Sequence, residues 1–210
     1  MAAPPVLLVH GLWMRSFTLR WLATRLRSQD FAPRLFGYYS LLQDTDAVVA
    51  QLAATLRAHS GLHVVAHSLG GLLALRAAQA LPPESVGRIV CLGSPLGGSG
   101  AASAIATRLP AGAQLIGQNR VLLQSGIGSI PEGLEVGAVA GCVPRGLGGV
   151  VARFACEHDG TVAVPETRVP GLADHVVVRA SHSGLLVSDA AVRQATHFLR
   201  DGHFKHAGQD

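Results

Sequence analysis

Charged side chains are scarce in this sequence of 210 residues. Only 14% of the residues are Asp, Glu, Lys or Arg, against about 25% in an average soluble protein. The formal net charge is +4, and the arginines are scattered along the chain instead of massed in one tract. A nucleic-acid-binding protein would need a denser basic patch. We therefore expect no nucleic-acid partner, and the 49% of hydrophobic residues indicates a tightly folded globular protein.

The three cysteines, Cys91, Cys142 and Cys156, are few and widely separated. Their odd number and the lack of a C-x-x-C spacing favour neither a disulfide framework nor a zinc knuckle, and a reduced, cytoplasmic setting fits best. The histidines do not form a zinc-hydrolase motif either. We expect no metal and no other cofactor.

Long apolar segments are also missing. The opening "MAAPPVLLVHG" lacks a basic region and reaches His10 after a short apolar run, which is not the pattern of a signal peptide. No apolar run elsewhere is long enough to span a bilayer. We expect a soluble protein without stable membrane insertion, and the sequence indicates no particular oligomeric state.

Short apolar runs bounded by turn residues alternate with segments of helical spacing. The runs are Val6–Val9, Arg34–Tyr39, His63–Ala66, Gly87–Leu92, Glu135–Gly141 and His175–Arg179; the helical segments are Phe17–Arg27, Asp44–His59, Leu69–Leu81 and Asp189–Leu199. This alternation predicts a single α/β domain over residues 1–210, with a mostly parallel central sheet and helices on both faces. A Gly-, Ala- and Ser-rich interval at about 97–133 interrupts it and predicts a small cap-like insertion.

The stretch "HVVAHSLGG" places Ser68 where a predicted strand passes directly into a predicted helix. Such a sharp turn strains the corner residue and admits only small side chains two positions to either side, and Ala66 and Gly70 meet that requirement. Taken alone, Ser68 could also be an ordinary helix N-cap. The rest of the chain has to decide between these two roles.

The pattern Ala66-His67-Ser68-Leu69-Gly70 resembles the nucleophile elbow, G-x-S-x-G, of the α/β-hydrolase superfamily, with alanine in place of the first glycine. The resemblance is to small bacterial serine esterases and lipases and extends over nearly the whole chain. It implies the α/β-hydrolase fold and a nucleophilic serine, followed along the chain by an acid and then a histidine base.

An acid and a base occur downstream in that order. Asp159, in "EHDGTV", follows a predicted strand, and His182, in "SHSGLL", follows the last one. The other acids considered are Glu157, in the same loop, and Asp174, which opens a strand and should lie at the opposite end of the sheet. The resemblance therefore implies a triad of Ser68, His182 and Asp159.

The other histidines are weaker candidates for the base. His67 adjoins the serine but should point away from it, His175 begins a strand and His158 lies in the acid loop. The remainder, among them His59, His197, His203 and His206, are expected to be solvated surface groups.

Acyl transfer also needs donors for the oxyanion. Leu69, directly after Ser68, offers its backbone N–H, and "LLVHGLW" resembles the family's His-Gly oxyanion loop. This loop nominates the N–H of Leu12 before that of Trp13. We assign Trp13, His67 and Ser94 to the substrate pocket. Ser94 is included because it stands in a Ser-Pro pair that lies beside the active site in similar lipases.

The resemblance implies a serine hydrolase that cleaves carboxylic esters, with a small-molecule ester or lipid as substrate. Thioester or amide hydrolysis, acyl transfer, and a non-catalytic binding role are the alternatives. The apolar residues of the insertion would line an acyl pocket or pack on the core: Ile105, Leu109, Leu115, Ile116, Val121, Leu122 and Leu123. We expect an accessible site that takes medium-chain acyl groups.

Overall fold

A computed structural model describes residues 2–108, 111–145 and 154–206. Its six-stranded sheet has the order β2-β1-β3-β4-β5-β6, and every neighbouring pair is parallel. The strands are β1 (Pro5–Val9), β2 (Ala32–Phe36), β3 (Leu62–His67), β4 (Val86–Leu92), β5 (Val136–Gly141) and β6 (Asp174–Val178). The α/β class and the parallel sheet predicted from the sequence are confirmed.

The second strand ends earlier than its apolar run predicts. Among the described strands, β2 pairs only with β1, and the last pair in their register is Val9 with Phe36. Because β1 ends there, Tyr38 and Tyr39 have no strand to pair with and leave the sheet.

Seven α-helices accompany the sheet in the described part of the chain. They are α1 (Arg20–Arg27), α2 (Thr45–Ala58), α3 (Leu69–Ala78), α4 (Gly100–Arg108), α5 (Gly112–Ile116), α6 (Arg120–Ser125) and α7 (Asp189–Asp201). Asp44 caps α2 by accepting a hydrogen bond from the Ala47 N–H at 2.9 Å, and Ser188 caps α7 in the same way. None of the described helices has both the length and the apolarity to cross a membrane.

Both faces of the sheet are covered, which explains why its strands are apolar throughout. In β1, Leu7 and Val9 pack in one core with residues of α2 and α3. Their neighbours Val6 and Leu8 point the other way, into a second core with α1 and α7. The side chains therefore alternate between two hydrophobic layers.

The connection between β4 and β5 contains the three short helices α4, α5 and α6, where the sequence predicted a small insertion with helical character. Ile105, Ile116, Leu122 and Leu123 face inward, whereas Leu115 and Val121 are exposed. Leu109, which was expected to join the apolar set, lies outside the described residues.

Candidate active site

The site lies at the edge of the sheet where the parallel strands have their carboxyl ends. Leu12 follows β1, Ser68 follows β3, Asp159 follows β5 and His182 follows β6. Because the strands are parallel, these loops converge on one edge, which is where open α/β sheets bind ligands.

Ser68 forms the corner between β3 and α3, with φ 54° and ψ −124°. A side-chain-bearing residue adopts these angles at a cost, so the surrounding structure must impose them. A Cβ at Gly70 would lie 2.5 Å from the His10 carbonyl oxygen, so α3 starts in direct contact with the end of β1. The Ser68 side chain makes no capping hydrogen bond, which leaves its hydroxyl available for another role.

Ser68, His182 and Asp159 form a continuous hydrogen-bonded chain. The Ser68 Oγ lies 3.0 Å from the His182 Nε2, and the His182 Nδ1 lies 2.7 Å from the Asp159 Oδ2. Asp159 is 1% exposed, and its Oδ1 accepts hydrogen bonds from the backbone N–H groups of Thr161 and Val162 at 2.8 and 2.7 Å. Both carboxylate oxygens are thereby fixed.

These contacts determine where the imidazole proton of His182 lies. A carboxylate only accepts hydrogen bonds, so the Nδ1 of His182 carries the proton and donates it to Asp159. The Nε2 is then a free lone pair directed at the Ser68 hydroxyl. This arrangement can remove the hydroxyl proton and turn a weak nucleophile into a strong one.

The other acids do not approach His182 in this way. Asp174 lies at the amino end of β6, the opposite edge of the sheet, where it binds the Phe204 N–H and the His206 ring. Glu157 is exposed to solvent.

The competing histidines have other partners. His175 contacts Thr167 at 2.8 Å, and His158 accepts a hydrogen bond from the Gly160 N–H. His59 and His203 are exposed and His197 is half-buried, but His206 is half-buried against Asp174 and is less of a surface group than expected.

Leu69 and Leu12, whose backbone N–H groups the sequence nominates as oxyanion donors, both lie beside Ser68. Leu69 is the first residue of α3, so its N–H has no partner within the helix. Leu12 lines the same cavity as Ser68. The N–H of Trp13, by contrast, is committed to the Ser40 Oγ at 3.0 Å, which favours Leu12 over Trp13 as the second donor.

His10 and Tyr38 hold the loop that carries Leu12. The fully buried His10 ring stacks on Tyr38 at 4.1 Å between centroids, and the Tyr38 hydroxyl donates to the His10 carbonyl at 2.8 Å. Burial lowers the pKa of the His10 imidazole and raises that of the Tyr38 phenol. Both rings therefore stay neutral and serve as rigid supports.

A largely apolar cavity of about 370 Å³ opens beside Ser68. The insertion contributes much of its wall through Ala101, Ala102, Ile105, Ile116 and Leu123. Trp13 and His67, which the sequence assigns to the substrate pocket, are among its lining residues. The sequence did not single out seven others that also line it: Met14, Pro95, Ser99, Arg145, Thr161, Val162 and Ser183.

Ser94 is not among the described residues that line this cavity, so its assignment to the pocket needs correction. Its side chain is 1% exposed. It packs against α3, where a Cβ at Gly71 would lie 2.2 Å from the Ser94 Oγ. The Ser-Pro pair is close to the site, but Ser94 faces α3 and only Pro95 lines the cavity.

Two side chains that the sequence reasoning did not connect to the insertion hold it against the site. The Trp13 Nε1 donates to the Leu115 carbonyl at 2.7 Å. The Glu166 carboxylate accepts from the N–H groups of Gly100, at the start of α4, and Ala163, in the acid loop, at 2.7 and 2.9 Å. The insertion is thus tied both to the loop with Leu12 and to the loop with Asp159.

Within the described part of the chain, His, Cys, Asp and Glu side chains form no group of three that could hold a metal ion. His63 and His67 are four residues apart, but both lie on β3, so their backbones are about 13 Å apart. Two histidines four residues apart can bind the same metal ion when they lie on one face of a helix, but not when they lie on a strand.

The chain matches the model of the Alpha/beta hydrolase family over residues 6–204. A comparison with curated proteins gives no match. Among solved structures, the mature lipase BlEst2 of Bacillus licheniformis is similar at TM-score 0.76 and 21% identity, covering 95% of this chain and 91% of that chain. A monoacylglycerol lipase of Paleococcus ferrophilus is similar at TM-score 0.58 and 14% identity, covering 95% and 96%. Tomato methylketone synthase I is similar at TM-score 0.56 and 12% identity, covering 89% and 93%. At these identities the similarity concerns the fold.

Proposed function

The chain belongs to the alpha/beta hydrolase family, and on that premise we propose that it is a serine hydrolase that cleaves carboxylic esters through Ser68, His182 and Asp159. The observation that carries the proposal is the unbroken hydrogen-bonded chain from the Ser68 Oγ to the buried Asp159 carboxylate. Its Ser68 end lies beside an apolar cavity. A nucleophile, its base and the group that orients the base are the parts that acyl transfer needs.

In the first half of the reaction, the Ser68 Oγ attacks the ester carbonyl while the His182 Nε2 takes the hydroxyl proton. The Asp159 carboxylate stabilises the imidazolium that forms. The N–H groups of Leu12 and Leu69 donate to the developing oxyanion. The tetrahedral intermediate then collapses: the bond to the alcohol oxygen breaks, His182 returns the proton to this oxygen, and the alcohol leaves an acyl group on Ser68.

In the second half, water takes the place of the alcohol. His182 removes a proton from this water, which attacks the acyl carbonyl. Collapse of the second intermediate releases the carboxylic acid and returns the proton to the Ser68 Oγ. The cycle consumes one ester and one water and needs no cofactor.

The proposal is tested by labelling the folded protein with a fluorophosphonate and by assaying p-nitrophenyl esters. We expect a single phosphonylated residue, Ser68, in peptide mass spectra, and ester hydrolysis that this label abolishes. The same panel should include a thioester and an anilide of matched acyl length, since the triad serves all three. Folded protein that resists the label would favour a non-catalytic binding role and would remove the proposal.

The acyl group would occupy the cavity at the insertion, which suggests a medium-chain acid. Ala102 is 6% exposed and lines this cavity, so Ala102→Phe should fill it. We expect kcat/KM for the octanoate ester to fall by about tenfold or more, with the acetate ester changed by less than about threefold. Val121→Phe is the matched control because Val121 is exposed and does not line the cavity. Equal losses on both esters would contradict the assignment of this cavity to the acyl chain.

A further inference from the structure

His67 occupies a central place in the site that the proposed reaction does not use. It is the last residue of β3 and is 2% exposed. Its ring lies 4.6 Å from that of His182 between centroids, and its Nε2 lies 3.0 Å from the His182 carbonyl oxygen. From the sequence, His67 is expected to point away from Ser68 and to line the substrate pocket. The structure also puts it in contact with the base.

The protonation of His67 follows from its surroundings. A carbonyl oxygen only accepts hydrogen bonds, so the Nε2 carries the proton and donates it. Burial, with a further contribution from the neighbouring His182, lowers the pKa of His67 to about 3, although Asp159 acts in the opposite direction. The ring is therefore neutral at ordinary pH, with its proton held on the Nε2.

The other side of the ring faces the loop that carries Leu12. The His67 Nδ1 is buried and has no hydrogen-bond partner in the described part of the chain. A Cβ at Gly11 would lie only 3.1 Å from this nitrogen. The His67 imidazole thus lies between the loop that carries Leu12 (the oxyanion loop) and the loop that carries His182 (the base loop). His67 also directly precedes Ser68 in the sequence.

We propose that His67 is a positioning residue for the base: its Nε2–H holds the backbone of His182, so that the neighbour of the nucleophile fixes the base relative to Ser68. The inference rests on the proposed function. His182 is then held at both ends of its own backbone, since its N–H also donates to the Asp159 carbonyl at 2.9 Å. The acid residue holds one end, and the nucleophile's neighbour holds the other.

This arrangement predicts an effect on chemistry more than on substrate binding. Loss of the His67 hydrogen bond would let the base loop move, whereas the part of the cavity wall that the insertion supplies would stay in place. A misplacement of about 1 Å in a catalytic group can cost about 10²-fold in rate. The kcat should therefore fall, with little change in KM.

Two variants separate positioning from packing. His67→Gln keeps an amide N–H close to the place of the imidazole Nε2, whereas His67→Met keeps apolar bulk without a donor. In p-nitrophenyl butyrate hydrolysis we expect His67→Met to lower kcat by about 10- to 100-fold with KM within about threefold. His67→Gln should recover most of that loss. The rate of fluorophosphonate labelling should follow the same order.

Equal kcat in the wild type and both variants, or equal losses in both variants, would overturn the inference. If His67→Met does not fold, NMR of the ¹⁵N-histidine-labelled wild type still decides: His67 must be neutral at pH 5 with its proton on the Nε2. A protonated ring or the opposite tautomer would overturn the inference. A wild type that neither labels nor hydrolyses esters would instead refute the proposed function, which the NMR measurement does not depend on.

Discussion

Ser68→Ala is expected to lower kcat for ester hydrolysis by about 10⁵- to 10⁶-fold, because it removes the atom that forms the acyl-enzyme. Little else should change in the protein. Among the described residues, the Ser68 hydroxyl has one side-chain hydrogen-bond partner, the His182 Nε2, and alanine bears the same Cβ at the strained corner. The free energy of unfolding should therefore stay within about 0.5 kcal/mol of the wild type.

The measurement combines turnover of p-nitrophenyl butyrate, fluorophosphonate labelling and urea unfolding. Ser28→Ala is the matched control, since Ser28 follows α1 in an exposed position far along the chain from the site. Its activity and labelling should equal those of the wild type. Turnover by Ser68→Ala above about 1% of wild type, after exclusion of contaminating esterases, would show that another residue is the nucleophile.

Asp159→Asn is expected to lower kcat by about 10⁴-fold through a change of tautomer. The Asp159 Oδ1 accepts two backbone N–H groups, from Thr161 and Val162, so the amide oxygen of asparagine would keep that position. The amide nitrogen would then face the His182 Nδ1. Because this nitrogen is a donor, His182 would move its proton to the Nε2 and could no longer accept one from Ser68.

Kinetics and ¹⁵N-histidine NMR test this expectation together. The variant should show the loss in kcat and the proton of His182 on the Nε2. Glu157→Gln is the matched control because this exposed carboxylate lies two residues from Asp159, and it should retain wild-type activity. An active Asp159→Asn enzyme, or an equal loss in Glu157→Gln, would contradict the role assigned to Asp159.

The elements that position the site could be predicted because they leave a periodic signal. Residues buried on both faces of a sheet must be apolar, so all six strands were visible as short runs, and Ser68, Asp159 and His182 could be placed at the ends of three of them. The end of β2 was missed because it depends on the length of β1, with which it pairs. The extent of the single domain and the cytoplasmic location stay predictions.

The directions of side chains in the loops leave no periodic pattern in the sequence. Ser94 and Pro95 are adjacent, yet Pro95 lines the cavity and Ser94 faces α3. The contact of His67 with the backbone of His182 joins residues 115 positions apart, and the hydrogen bond from Trp13 to the Leu115 carbonyl spans 102 positions. Contacts of this kind depend on how the loops pack after the sheet has formed, and a single sequence does not encode them in a readable pattern.

The proposed reactive groups and much of the cavity wall come from different parts of the chain, and this separation has a practical consequence for protein engineering. The proposed reactive groups come from the ends of β3, β5 and β6, whereas Ala101, Ala102 and Ile105 shape the cavity from one short helix. A combinatorial library at these three positions could therefore alter selectivity while the chemical steps are left intact. Such a library covers one continuous stretch of the gene, so a single mutagenic cassette would suffice to diversify it.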